Sequence, residues 1–343
     1  MDASRQFPAW LKEHKVSFAF TTYQGARLFT VGTGENGRLK VIHRFFSRVM
    51  GLCANKKQDS LYLSSLWQIW RLDDILAKNK ITKDGFDAIY RPSQSWTTGD
   101  LDIHDMHLGD DGQLYFINCL YGCLATLSEG DSFKPLWKPP FISRLVPEDR
   151  CHLNGLAMRD GKPKYVTCIS DTDINDGWRE HRRNGGMVID IDTNEVVCTG
   201  LSMPHSPRWY RDTLYLHNSG TGEFGYVNFE KKEFVALCFC PGYLRGLTFV
   251  GDFAVAGLSE PRHNKLFTGL DLDDKLKEHI VQARCGLQVI DLRDGSLPHR
   301  LNIGGLISEL YDVVALPNRS APYVIGTHEG EVHRAITINN RRL

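Results

Sequence analysis

Residues 206–229 read SPRWYRDTLYLHNSGTGEFGYVNF. A short strand-like phrase, SPRWY, meets the turn Arg211-Asp212; an alternating phrase, TLYLHN, follows, then the loop SGTGE and a third phrase, FGYVNF. Alternating apolar and polar residues between Gly, Asp and Asn turn positions are the mark of short antiparallel strands. The same three-part phrase spans residues 17–45 and starts again near Met50, Asp105, Asn154, Arg245 and Asp312. A Gly-Leu pair falls at one register in three of these units: Gly51-Leu52, Gly155-Leu156 and Gly246-Leu247. Seven units average roughly 49 residues, the period of four-stranded propeller blades. Fourth strands are legible at 233–239 and 195–199, whereas the first and last units lack one, so the chain ends share a blade or leave one incomplete. The expectation is an all-β propeller of seven blades, with six as the alternative. It forms one domain over residues 1–343, with residues 1–15 as an N-terminal arm carrying a short helix at 7–14.

Composition agrees with an ordinary core-forming chain: 42% hydrophobic and 24% charged residues in 343. Lys+Arg and Asp+Glu balance at 41 each, so no global field draws the protein to nucleic acid or an anionic membrane. No run approaches the roughly 18–20 apolar residues of a membrane span, and the polar first fifteen residues lack a signal-peptide core. Nine scattered cysteines, mostly inside apolar phrases, suggest reduced thiols and a cytoplasmic location. Cys119 with Cys123, and Cys238 with Cys240, have no matching second pair, which argues against a zinc site built on those pairs.

Two units are lengthened at the same place, between their second and third strands, by residues 171–185 and 260–285. The second insertion carries a helical pattern over 273–283, with Leu276, Ile280 and Val281 on one face. Strands of a blade alternate direction, so both insertions rise over the mouth where the innermost strands begin. Long loops on one face of a repeat array commonly belong to its binding face.

Residues at the starts of the innermost strands are unusually polar: Asp102, His104 and Asp105; His152 and Asn154; His205, Ser206 and Arg208; then Arg245, Glu309 and Asp312. His152 and His205 lie three residues before Gly155 and Arg208, whereas His104 lies two before Met106. Two chemistries fit this ring. His104, His152 and His205 could hold a divalent metal (Zn, Fe or Mn), with Asp105 or Glu309 beside it. Alternatively His104, Asp105, His152, His205 and Glu309 work as metal-free acids and bases, while Arg208, Arg245, Arg262, Asn154 and Asp312 hold the substrate. The plain reading beside both is structural, since strand-start polar groups often tie neighbouring blades together. The segment DTDINDG at 171–177 is displaced from the calcium-loop pattern and reads as a capped polar loop. No P-loop, G-x-S-x-G or H-E-x-x-H occurs.

The phrases FTTYQGARLF, DIHDM, HLNGLA, MPHSPRW, YLRGL and ISELYDV together resemble an uncharacterised bacterial family of conserved hypothetical β-propeller proteins, over essentially residues 16–338. More distantly the chain is similar to gluconolactonase, strictosidine-synthase and NHL-type propellers, some of which bind a divalent metal at the channel mouth. The resemblance implies the fold and no particular activity. The Glu, Asn and Asp metal set of the gluconolactonases has no residue-by-residue counterpart here. The function expected is an enzyme acting on a small polar or peptide-like ligand at the mouth, hydrolase- or lyase-like, with or without a metal. The alternative is a non-catalytic ligand- or protein-binding propeller using the same mouth. Neither nucleic acid nor membrane is an expected partner, and the oligomeric state is left open.

Overall fold

A computed structural model describes residues 1–261, 269–328 and 330–338. Six antiparallel blades stand round a central channel, and their innermost strands form a closed ring. The count of seven is therefore corrected to six. The units beginning at Ser17 and Asp312 are two parts of one blade, in which Val313–Pro317 is the innermost strand and Val16–Thr22, Arg27–Thr33 and Leu39–Phe45 follow outward. The pairing of Phe18 with Ala315 and Val16 with Pro317 joins the chain ends and closes the ring. Ring closure of this kind removes the free sheet edges that an open array of blades would leave.

Blade 2 starts at Leu52–Ala54, blade 3 at Ile103–Leu108, blade 4 at Leu153–Arg159, blade 5 at Pro204–Tyr210 and blade 6 at Tyr243–Val250. After closing blade 1 the chain runs on, and Pro322–Val324 pairs in parallel with Ala88–Tyr90 on the outside of blade 2. The last phrase of the unit that starts near Asp312, residues 332–338, forms no strand. At the other end Asp2–Ala3 adds a strand to the outer edge of blade 6. The helix Phe7–Glu13 then buries Phe7, Trp10 and Leu11 in the core shared by blades 1 and 6. Pro8 suits its first turn, where a missing N–H costs nothing. The second helix is shorter than its sequence pattern, Leu272–Glu278, and leaves Ile280 92% exposed.

The recurring Gly-Leu pair has a structural cause. The N–H of Leu52 donates to Asp312 Oδ2 at 2.9 Å and that of Leu156 to Asp105 Oδ2 at 3.0 Å. Each carboxylate belongs to the preceding blade. In the third pair the donor is the glycine rather than the leucine: the Gly246 N–H donates to Ser206 Oγ at 2.9 Å. The glycine permits close approach to the following blade: a Cβ on Gly246 would stand 2.7 Å from Val313 N and 2.8 Å from Asp312 Cα. Its φ of +69° is also one that residues with a side chain rarely adopt. Gly246→Ala should therefore cost about 2–4 kcal/mol, combining left-handed strain with overpacking against backbone. A urea titration should show the midpoint falling, and an unchanged midpoint would contradict the close approach.

Candidate functional site

Inside the channel, Asp105, Arg208 and Asp312 form a buried knot. Arg208 reaches across the ring and donates to Asp105 twice, at 2.7 and 3.1 Å, with Asp312 at 3.6 Å. Its remaining donors go to the carbonyls of Leu156, Leu247 and Pro207. His107 Nε2 lies 3.3 Å from Asp105. Arg208 and the two carboxylates thus tie neighbouring blades together. The guanidinium holds the Asp105 carboxyl well below the usual range although burial opposes it. Burial, and then the Asp105 charge, push Asp312 up to about 7 despite Arg208. These three residues, read from sequence as catalytic (Asp105) or substrate-binding (Arg208, Asp312), lie outside the mouth cavity and join blades.

Above the knot a cavity of about 240 Å³ opens at the mouth. It is lined by Asp102, His104, Asp149, His152, Arg245 and Glu309, together with Tyr23, Met50, Met203, Tyr311 and the insertion residues Trp178 and Arg179. The described parts of the two insertions meet over this mouth. Trp178 shares an apolar cluster with Met203, Tyr243, Leu270 and Leu272, and Arg183 pairs with Asp271. Arg262 lies outside the described residues.

Local backbone geometry decides how the histidines are presented. Innermost strands 3, 4, 5 and 6 each carry a register irregularity near their start, and such bulges re-aim side chains. Ile103, Leu153 and Pro204 occupy equivalent places, paired with Asn118, Cys168 and Asn218. The equivalent trio one residue on is therefore His104, Asn154 and His205. His152 takes the position of Asp102 and Met203, and all three of these have positive φ, between 49° and 51°. The sequence alignment of His152 with His205 is thus corrected: His104 and His205 are the matched pair. Their rings are held alike, Nδ1–H donating to the carbonyl two residues back, Asp102 at 2.8 Å and Met203 at 2.9 Å.

His205 is engaged by neighbouring side chains. Its Nε2 faces Asn154 Nδ2 at 3.5 Å, its ring meets Tyr243 edge-on, and Asn154 is further fixed by Thr167 at 2.7 Å. His152 is placed differently. Its Nδ1 lies 2.9 Å from Asp149 Oδ2, the indole Nε1 of Trp178 donates to the same oxygen at 2.8 Å, and the indole lies over the imidazole with centroids 4.2 Å apart. The Cys119 thiol donates to Asp149 Oδ1 at 3.2 Å. Burial opposes the Asp149 charge, but His152 and this thiol hold its pKa below the ordinary value. His104 stands edge-to-face with His152, centroids 4.8 Å apart. Arg245 pairs with Glu309 and lies over the rings of Tyr243 and Tyr311. His104, Cys119 and His152 each offer a ligand atom within 4.8 Å of the others, a group that could hold a metal ion; among the described residues His205 is not part of such a group.

Sequence reading missed Asp149, Trp178, Cys119 and Tyr311. Asp149 was within reach of it, three residues before His152 in the phrase EDRCHLNG, and so was Tyr311 beside Glu309. The partnership of Cys119 with His152 crosses from blade 3 to blade 4 and leaves no sequence spacing to read.

A family profile matches residues 5–325. The chain belongs to DUF4915. The family carries the description of a domain of unknown function, and no curated protein matches the chain. Solved structures similar to this DUF4915 chain show the propeller fold. One, from a nidogen/laminin complex, is 11% identical with a TM-score of 0.55, over 88% of this chain and 99% of that one. A Bacteroides caccae protein of unknown function is 11% identical with a TM-score of 0.51, over 88% and 98%. A gluconolactonase-like protein is 13% identical with a TM-score of 0.50, over 80% and 90%. Among the described residues no helix is long and apolar enough to cross a membrane.

Two outcomes check this division of the site. Arg208→Met strands two buried carboxylates and should cost about 3–5 kcal/mol in urea unfolding; a near-neutral effect would contradict the knot. Burial also pushes His217 down to about 4, its Nε2 facing the Gly246 carbonyl at 3.0 Å. Below the ordinary histidine value of about 6.5 the unfolded chain takes up the proton first. Stability should therefore fall as pH drops from about 6.5 through 4, and His217→Gln should flatten that part of the profile.

Proposed function

We propose that this DUF4915 propeller is an acid–base enzyme, hydrolase- or lyase-like, acting on a small polar substrate in the mouth cavity. The observation that carries the reading is the Asp149–His152 pair. A carboxylate on Nδ1 fixes the neutral ring with its proton on that atom and its lone pair on Nε2, the arrangement of a general base with an orienting partner. Two non-glycine residues held at positive φ, Asp149 at 42° and His152 at 50°, place strain where a site would use it.

In this reading His152 Nε2 takes a proton from water or from a carbon acid next to a carbonyl and returns it to the leaving group. Burial pushes His104 down to about 4, against the pull of Asp102, so at neutral pH it adds an uncharged imidazole beside the base. Arg245, kept charged by Glu309, faces the same cavity and offers a cation for developing negative charge. Trp178 and Arg179 close the site from the insertion. A divalent metal (Zn, Fe or Mn) on His104, His152 and His205 is the weaker mechanism, because His205 is engaged by Met203, Asn154 and Tyr243. The cavity would serve a non-catalytic ligand-binding propeller equally well in size, but such a protein has no need of an oriented base.

The test is turnover of a panel of lactones, esters, small amides and β-eliminable substrates by tag-free protein. His152→Gln and Asp149→Asn should each lower the rate about 10²–10⁴-fold, the second by favouring the wrong tautomer, with the circular-dichroism spectrum unchanged. Full activity in His152→Gln would overturn the assignment.

A further inference from the structure

Beside His152 three donor atoms stand as the corners of a nearly regular triangle. Cys119 Sγ is 3.2 Å from His152 Nδ1 and 3.2 Å from Asp149 Oδ1, and the last two are 3.1 Å apart. A ring nitrogen of His104 lies within 4.8 Å of the ligand atoms of Cys119 and His152. From Zn–S of about 2.3 Å and Zn–N or Zn–O of about 2.0–2.2 Å, ligand atoms round a tetrahedral zinc stand roughly 3.3–3.6 Å apart. The triangle needs to open by only a few tenths of an ångström, and His104 needs to turn inward. The donors come from two blades. Cys119 follows the second strand of blade 3, Asp149 and His152 lead into blade 4, and His104 starts blade 3. A second observation points the same way: the Tyr311 hydroxyl, buried against His104 at the same mouth, has no hydrogen-bond partner among the described residues.

We propose that Cys119, His152, Asp149 and His104 form a site for a thiophilic divalent cation, Zn²⁺ foremost, and that its occupation switches the mouth off. One thiolate, two imidazoles and one carboxylate are a donor set that suits zinc and is too soft for Mg²⁺ or Ca²⁺. Binding releases the Cys119 proton to solvent. It also replaces the proton on His152 Nδ1, so the neutral ring must carry its proton on Nε2, and the lone pair that faces substrate is lost. The cation and the Asp149–His152 base compete for one atom. The inhibitory half of this inference rests on the acid–base reading above; the site itself does not.

Chelator-stripped, tag-free protein titrated with Co²⁺ provides the test. The expected result is one equivalent bound, with tetrahedral visible bands and a near-ultraviolet thiolate-to-cobalt charge-transfer band, both bleached by Zn²⁺. Cys119→Ser should abolish the charge-transfer band, while Cys123→Ser, a buried cysteine outside the triangle, should retain it. If Cys119→Ser does not fold, His104→Gln replaces it, with the expectation of at least tenfold weaker Co²⁺ binding. Absence of the charge-transfer band, or its persistence in Cys119→Ser, overturns the site. In a turnover assay, Zn²⁺ at saturation should remove activity and a chelator should restore it. Activity unchanged by saturating Zn²⁺ overturns the inhibitory half and leaves the cobalt result standing. A site that binds cobalt in a protein indifferent to His152→Gln would sink the enzyme reading alone.

Discussion

The innermost strands of this propeller meet with backbone N–H groups facing the preceding blade, where no sheet partner can satisfy them. Leaving such a group buried and unpaired costs about 1–3 kcal/mol. In this chain two aspartates and a serine from alternate blades, Asp312, Asp105 and Ser206, accept those hydrogens. Two carboxylates in one narrow channel then require a cation, and Arg208 is that cation. Replacing such a network with apolar packing can be neutral, whereas removing one member leaves an uncompensated buried charge. The ring therefore depends on all three residues being present together.

With the channel tied off at that depth, the mouth above it becomes a separate compartment. Bulges at the strand starts turn His104 and His205 into matched positions and bring His152 out of phase with them. That displacement lets Asp149, only three residues away, reach the His152 Nδ1. The 171–185 insertion then delivers Trp178 onto both partners. Placement of one imidazole thus draws on ring closure, a local bulge, left-handed backbone and a loop. Each is a different physical cause.

Much of the fold was legible because its signals are local: alternation within strands, turn residues between them, and Gly-Leu at one register. The blade count was not, because ring closure pairs residues about 300 apart, and the phrases at 17–45 and 312–317 look like two units until they are joined. Site reading divided in the same way. The polar strand starts were visible as a set, including His104, His152, Arg245 and Glu309, which do line the cavity. Their sorting into layers was hidden, since a bulge shifts a side chain's direction without changing its letter. Asp105, Arg208 and Asp312 look as reactive in sequence as Asp149 does, and only their partners separate a blade tie from a poised carboxylate. Cys119 was set aside for lack of a second cysteine pair, when its neighbours are a histidine and an aspartate from the next blade.

The most direct measurement is the tautomer of His152, read by long-range ¹H–¹⁵N correlation on histidine-labelled protein with His152→Gln to assign the signal. The structure predicts that the uncharged form of the ring carries its proton on Nδ1 and none on Nε2, a preference that disappears in Asp149→Asn. A ring protonated at Nε2 in the metal-free protein, or one unaffected by Asp149→Asn, would contradict the account of this site.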